Sequence, residues 1–178
     1  MTMTELEQCI DLYGKDIFSF CRYATGSVQE GEELYQDTFL TAVELLDRMD
    51  ISQNPKSFLL SIAIRLWKNR RRKYAWRRRI AGMESLEEKD EYQNIPSSSE
   101  NSMPEEVFLH REQDILVNTC IKKLPQKYQI LLYLYYASEF SVNEIAVCLK
   151  LPEGTVKSRL HKARKLLKEK LEDAGYVE

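Results

Sequence analysis

Seven cationic or hydrogen-bonding side chains, Lys157, Ser158, Arg159, His161, Lys162, Arg164 and Lys165, crowd one stretch near the end of this 178-residue sequence. Ammonium and guanidinium groups neutralise phosphates, and lysine, serine and histidine side chains offer hydrogen bonds to base edges. Among them run Val156, Leu160, Ala163, Leu167 and Leu171. Their spacing of four, three, four and four draws one apolar stripe along a helix and leaves the polar set on the remaining surface. The chemistry on offer is duplex binding, not bond making. His110 and His161 are the only histidines, no glycine-rich phosphate loop occurs, and Cys9, Cys21, Cys120 and Cys148 form no C-x-x-C pair. No catalytic constellation, metal site or cofactor is therefore expected, and the reading is not that of an enzyme.

A second helix must hold this one. Ser141-x-x-Glu144 is a capping box, in which hydroxyl and carboxylate each bond a free N–H of a first turn. Val142, Ile145, Ala146 and Leu149 then form a short apolar stripe, and Leu151-Pro152 ends it. Proline near a new first turn costs little, since its missing N–H would be unpaired there anyway. Two short helices, a tight turn and a basic second helix describe a helix-turn-helix with a recognition helix.

The formal charge of −2 conceals strong patterning. Residues 1–50 carry 3 basic and 11 acidic side chains, residues 51–80 carry 10 and none, residues 81–114 carry 2 and 10, and residues 115–178 carry 11 and 7. Two basic segments separated by acidic ones imply two nucleic-acid surfaces. The length suits one medium or two small domains. No apolar run approaches the roughly 20 residues of a membrane span, and no signal peptide is evident. Scattered, unpaired cysteines fit a reducing, cytoplasmic setting.

Thr4-x-x-Glu7 reads as a capping box for a first N-terminal helix, and Ser27-x-x-Glu30 opens a second. The first carries Leu6, Ile10, Tyr13 and Ile17 at helical spacing; the second carries Leu34, Tyr35, Thr38, Phe39, Ala42 and Leu46, with Glu30, Glu33, Asp37 and Glu44 on its other face. After Asn54-Pro55, a long helix has two adjacent stripes, Leu59, Ile62, Ala63 and Leu66 beside Leu60, Ile64 and Trp67, which makes it the central beam of the domain. Its remaining strip is Ser61, Arg65, Lys68 and Arg72, with Arg70, Arg71, Lys73 and Arg77 to Arg79 continuing the charge. Residues 84–104, acidic, serine-rich and poor in apolar side chains, read as a flexible linker. Fully extended, such a stretch reaches roughly 70 Å, about two turns of duplex. From 105 to 123 helical periodicity returns with Val107, Ile115, Cys120 and Ile121, and Leu124-Pro125 restarts a helix. The expected fold is all-α, two small helical domains over 1–83 and 105–178 joined by the linker, the second containing the helix-turn-helix.

NEIAVCLKLPEGTVKSRLHKARKLL, together with LPQKYQILLYL upstream, resembles region 4 of the extracytoplasmic-function (ECF) sigma factors of bacterial RNA polymerase. GEELYQDTF resembles region 2.2 of the same family, and KSFLLSIAIRLWKNRRRKYAWRRR its regions 2.3 and 2.4. The sequence departs from the family pattern at Gly31, Phe58, Arg65, Asn69, Glu139-Phe140 and Lys150. The resemblance implies a factor that binds core polymerase and directs it to promoters. It implies that Glu33, Gln36 and Asp37 contact the β′ clamp helices, with the β subunit a further partner. It implies that Asn54, Lys56, Ser61, Arg65, Lys68, Arg71 and Arg72 hold the −10 element, and that the basic helix beginning near Val156 reads the −35 element. An anti-sigma factor is implied as a partner. The alternative is a free-standing helix-turn-helix regulator, which would need its own dimer interface; no segment supplies one.

Overall fold

The computed structural model describes residues 2–48, 54–80 and 112–175. The chain divides into two compact units, Met1–Lys89 and Asp90–Glu178, and among the described residues there is no strand. The expected domain limits at 83/84 and 104/105, and the linker between them, lie outside the described residues.

The first unit packs three helices, α1 (Met3–Thr25), α2 (Val28–Glu44) and α3 (Pro55–Ile80), with one 3₁₀ turn at Leu46–Arg48. The expected box at Thr4-x-x-Glu7 is corrected by one at Thr2 and Glu5. The Thr2 N–H donates to Glu5 Oε2 (2.6 Å) and the Glu5 N–H donates to Thr2 Oγ1 (3.3 Å). Thr4 thus lies inside the helix. Both threonines satisfy the same local pattern, so the sequence motif alone does not choose between them. α1 ends on Gly26, whose φ of 69° is the left-handed conformation a helix end favours. Ser27 Oγ accepts the Glu30 N–H at 3.4 Å and starts α2.

α1, α2 and α3 pack against one another, and Ile17, Phe20 and Cys21 of α1, Leu34 and Thr38 of α2, and Leu59, Leu60 and Ala63 of α3 are all fully buried. Burying each large apolar side chain contributes about 1.5–3 kcal/mol, so these faces hold the three helices together. Six of the seven residues in the two predicted stripes of α3 are buried, with Trp67 only 5% exposed, and Leu66 is half-buried, so the helix is the beam the pattern requires. α1 and α2 approach each other closely at Gly31. A Cβ there would lie 2.9 Å from Arg22 Cγ and 3.0 Å from Arg22 Cα, so the missing side chain permits the approach.

The second unit comprises α4 (Glu112–Lys122), α5 (Gln126–Leu132), a π-helical turn at Tyr133–Ala137, α6 (Val142–Leu149) and α7 (Glu153–Asp173). Pro125 and Pro152 stand at the N-caps of α5 and α7, as the restarts in the sequence require. Leu124, Tyr128 and Leu132 pack on Ala163, with Ile121, Leu166 and Leu167 around them. Cys120 donates from Sγ to the Lys170 carbonyl at 3.5 Å, tying α4 to α7. Ile115, expected to follow the inward face of α4, is exposed. Val107 and His110 lie outside the described residues.

Candidate functional site

The helix-turn-helix forms from contacts inside the second unit. The Ser141–Glu144 box is complete: the Ser141 N–H reaches Glu144 Oε2 at 2.8 Å, and the Glu144 N–H reaches Ser141 Oγ at 3.2 Å. At the turn, the Leu151 N–H donates to the Ala146 carbonyl (2.9 Å) and the Lys150 N–H to the Val147 carbonyl (3.3 Å). This pair of bonds is a Schellman motif, which needs a left-handed residue between them. Lys150 supplies it, with φ 54° and ψ 49°. Glu139, the other place where the family pattern has glycine, also has positive φ, 57°. Asn143 Nδ2 then donates to Glu153 Oε1 at 2.9 Å, fixing the start of α7 against α6.

Val156, Leu160 and Ala163 of α7 are buried, and Leu167 and Leu171 are half-buried. The opposite surface carries the predicted set. Lys157, Ser158, His161, Lys162, Arg164 and Lys165 are exposed, and Arg159 is half-buried. Ser158 Oγ donates to the Thr155 carbonyl (3.0 Å), leaving the oxygen's lone pairs as acceptors. Arg164 is set apart from the other cations. Its Nε donates to Tyr136 Oη at 2.9 Å, and its guanidinium lies 5.1 Å from the Tyr135 ring centre and 5.7 Å from that of Tyr136. The Tyr136 bond raises the pKa of the guanidinium further, so it is charged at any relevant pH. No sequence motif marked this bracket, because Tyr136 lies 28 residues away and looks like part of an apolar run.

On α3, Ser61, Arg65, Lys68 and Arg72 share one side of the helix; the three cations are exposed, and Ser61 is half-buried with Oγ bonded to the Phe58 carbonyl (2.7 Å). Arg71 is half-buried with its guanidinium 5.1 Å over the Trp67 ring, and Arg72 reaches Asn69 Oδ1 at 3.4 Å. The two remaining predicted residues have structural duties at the start of the helix. Asn54 Oδ1 accepts the N–H groups of Lys56 (3.1 Å) and Ser57 (3.3 Å), an N-cap. Lys56 Nζ pairs with Asp16 Oδ2 at 2.6 Å, which leaves its side chain largely covered. Of the connection 48–56 that leads into this helix, residues 49–53 lie outside the described residues.

Glu33, Gln36 and Asp37 occupy the outer face of α2, Leu34 is fully buried, and Phe39 packs edge-on to Tyr35 at 4.8 Å. Two features of this face escaped the sequence reading. Leu40, one turn beyond Gln36, is 64% exposed, an apolar side chain amid the acids. Arg70, from α3, reaches across to Asp37 Oδ2 at 2.5 Å and to Glu33 Oε2 at 3.9 Å.

The family models agree with this arrangement: Sigma-70 region 2 matches residues 9–77 and Sigma-70, region 4 matches residues 115–167. ECF RNA polymerase sigma factor SigW of Bacillus subtilis (strain 168) is 33% identical over 168 residues, 92% of this chain and 87% of that one. The chain belongs to the ECF sigma factors. SigL of Mycobacterium tuberculosis (strain ATCC 25618 / H37Rv), another member, is 26% identical over 92% of this chain and 89% of its own length. The same fold occurs in the Bartonella quintana sigma factor RpoE, solved in complex with the anti-sigma factor NepR. The TM-score is 0.76 at 22% identity, covering 96% of this chain and 98% of that one. As an ECF sigma factor, the protein binds core RNA polymerase and directs promoter recognition and transcription initiation. Sigma factors are initiation factors without chemistry of their own. Among the described residues, no helix is long and apolar enough to cross a membrane and no group of His, Cys, Asp and Glu side chains could hold a metal ion.

Proposed function

We propose that this sigma factor works by dividing its contacts between three surfaces. Lys157, Ser158, His161 and Lys162, on the outward side of the first half of α7, reach base edges of the −35 element. Arg159, Arg164 and Lys165 hold the flanking phosphates, which set register without reading sequence. Along α3, Ser61, Arg65, Lys68 and Arg72 follow the backbone of the −10 strand, with Arg71 against Trp67 behind them. Asn54 and Lys56 border the pocket for an unstacked base. Glu33, Gln36 and Asp37 dock on the β′ clamp helices, with Leu40 as an apolar centre of the kind that carries interface energy. The β subunit is the remaining polymerase contact.

The observation that carries this reading is the separation of charge. An acidic, partly apolar α2 face and a cationic α3 strip belong to one unit, and a second cationic helix belongs to another. We assign residues 1–83 to the polymerase-docking and −10 domain, 84–104 to a linker and 105–178 to the −35 domain. We assign the protein to the cytoplasm, with no enzymatic activity. We also assign it an anti-sigma partner. RpoE of Bartonella quintana was solved with NepR, and the similarly folded CnrH was solved with the cytosolic domain of CnrY.

The test is run-off transcription with purified core polymerase on genomic fragments, with start sites mapped. Specific starts that require the chain, and that disappear with Asp37→Arg, are the expected result. A specific footprint at near-physiological salt from the chain alone would favour the free-standing regulator instead.

A further inference from the structure

We propose that Arg70 is a positioning residue for the polymerase-docking face, an inference that rests on the assignment of Glu33 and Asp37 to that face. Arg70 lies within the basic run of α3, where composition groups it with the DNA-facing cations. Its guanidinium points elsewhere. Nη2 meets Asp37 Oδ2 at 2.5 Å and Nη1 approaches Glu33 Oε2 at 3.9 Å, so one side chain of α3 bridges two carboxylates of α2.

The bridge has two physical consequences. Glu33 and Asp37 are four residues apart on one helix, where like charges repel. A guanidinium there offsets that repulsion, bonding Asp37 at 2.5 Å and facing Glu33 from 3.9 Å, too far for a hydrogen bond. Yet it does not cover them. The Glu33 and Asp37 side chains remain 59% and 50% exposed with the bridge in place. A carboxylate has roughly four lone-pair sites on two oxygens, so Asp37 keeps acceptors for an outside donor while Arg70 holds Oδ2. A partner presenting cations can therefore bind without breaking the bridge. The Arg70 and Asp37 side chains, which would otherwise be ordered at the moment of docking, are ordered in advance. Because α3 also carries Arg65, Lys68 and Arg72, the same contact fixes the docking helix against the helix that holds DNA.

The experiment measures core-polymerase affinity for the full chain and for Arg70→Ala, Arg70→Lys, Asp37→Ala and the Asp37→Ala/Arg70→Ala double variant, with thermal midpoints recorded in parallel. Arg70→Ala should weaken binding by about three- to tenfold, the scale set by ordering one or two long side chains. Arg70→Lys should restore part of it, since an ammonium can hold one carboxylate but lacks the fork for two. The loss in the double variant should fall well short of the product of the two single losses, because Arg70 acts chiefly through the Asp37 carboxylate, with the looser Glu33 contact as the remainder. Wild-type or tighter binding by Arg70→Ala, with Asp37→Ala weak, overturns the proposal and leaves the docking face standing. So does a double variant in which the two losses multiply, which would make Arg70 a direct contact. A loss in Arg70→Ala that tracks its midpoint and is absent well below it also overturns the proposal, since Arg70 then serves only the fold. Wild-type binding by Asp37→Ala overturns both the docking face and the proposal built on it.

Discussion

Replacing Lys150 by glycine should stabilise the helix-turn-helix. Lys150 sits at φ 54° and ψ 49° between the two bonds of the Schellman motif, a conformation the turn cannot abandon without losing both. For a residue with a Cβ, the left-handed region costs roughly 1–2 kcal/mol. Glycine removes that strain but brings about 0.5–1 kcal/mol of extra chain entropy to the unfolded state. The net gain is therefore about 0–1.5 kcal/mol, or up to several degrees in Tm for a unit of this size, where each kcal/mol moves Tm by about 4–8 °C. Lys150→Ala is the control: it removes the same charge and stem but keeps the Cβ. The assay is differential scanning calorimetry of the full chain. The transition of the second unit is identified by Ser141→Ala, which breaks the capping box and should lower it by an amount equivalent to about 1 kcal/mol. Lys150→Gly should melt above both wild type and Lys150→Ala, with promoter recognition by the polymerase complex unchanged. A midpoint for Lys150→Gly at or below that of Lys150→Ala would refute the argument, because the backbone strain would then be absent.

In the polymerase complex, Lys162→Ala should alter preference among −35 variants, at a cost of about 1–3 kcal/mol on the favoured base if the contact is bidentate. Arg164→Ala should weaken all of them alike and reduce the salt slope of binding by about 0.9; fluorescence anisotropy at several salt concentrations on a panel of promoters separates the two. Gly31→Ala should destabilise the first unit by about 1–3 kcal/mol through overpacking, partly offset by better helix propensity, since the new methyl would meet the Arg22 backbone; chemical denaturation reads it. Burial pushes the Cys21 thiol up from 9.0 to about 12, against smaller lowering effects of Thr38 and Arg70. An acid whose folded pKa is raised contributes stability below its unfolded value, so this contribution should be lost progressively as pH rises from 9 towards 12. Cys21→Ala should flatten that fall in a pH series of denaturation curves.

Much of the second unit was legible in the sequence because its determinants are local. A capping box uses residues three apart, Pro125 and Pro152 restart helices through their own missing N–H, and the stripe through Val156, Leu160 and Ala163 follows from helical periodicity. The cationic surface of α7 is what that stripe leaves over. Even the departures from the family pattern could be located beforehand, and Lys150 and Glu139 took the positive φ values that glycine would have. Periodicity was less informative where several answers share one pattern. Thr2 and Thr4 both precede a glutamate by three, and the cap formed at the earlier. Ile115 fits a helix and yet faces outward.

Tertiary structure alone decided which charges are committed to each other. Arg65, Arg70 and Arg72 belong to one basic run, but only packing of α3 on α2 turns Arg70 towards Asp37, 33 residues distant, and leaves Arg65 and Arg72 exposed. The closeness of Gly31 to Arg22 and the bracket of Tyr135 and Tyr136 around Arg164 arise in the same way. Local sequence sets which face of a helix is apolar, because side-chain direction follows the helical repeat. Partners across helices depend on the distance and rotation at which two apolar faces interlock, and those are properties of the packed pair.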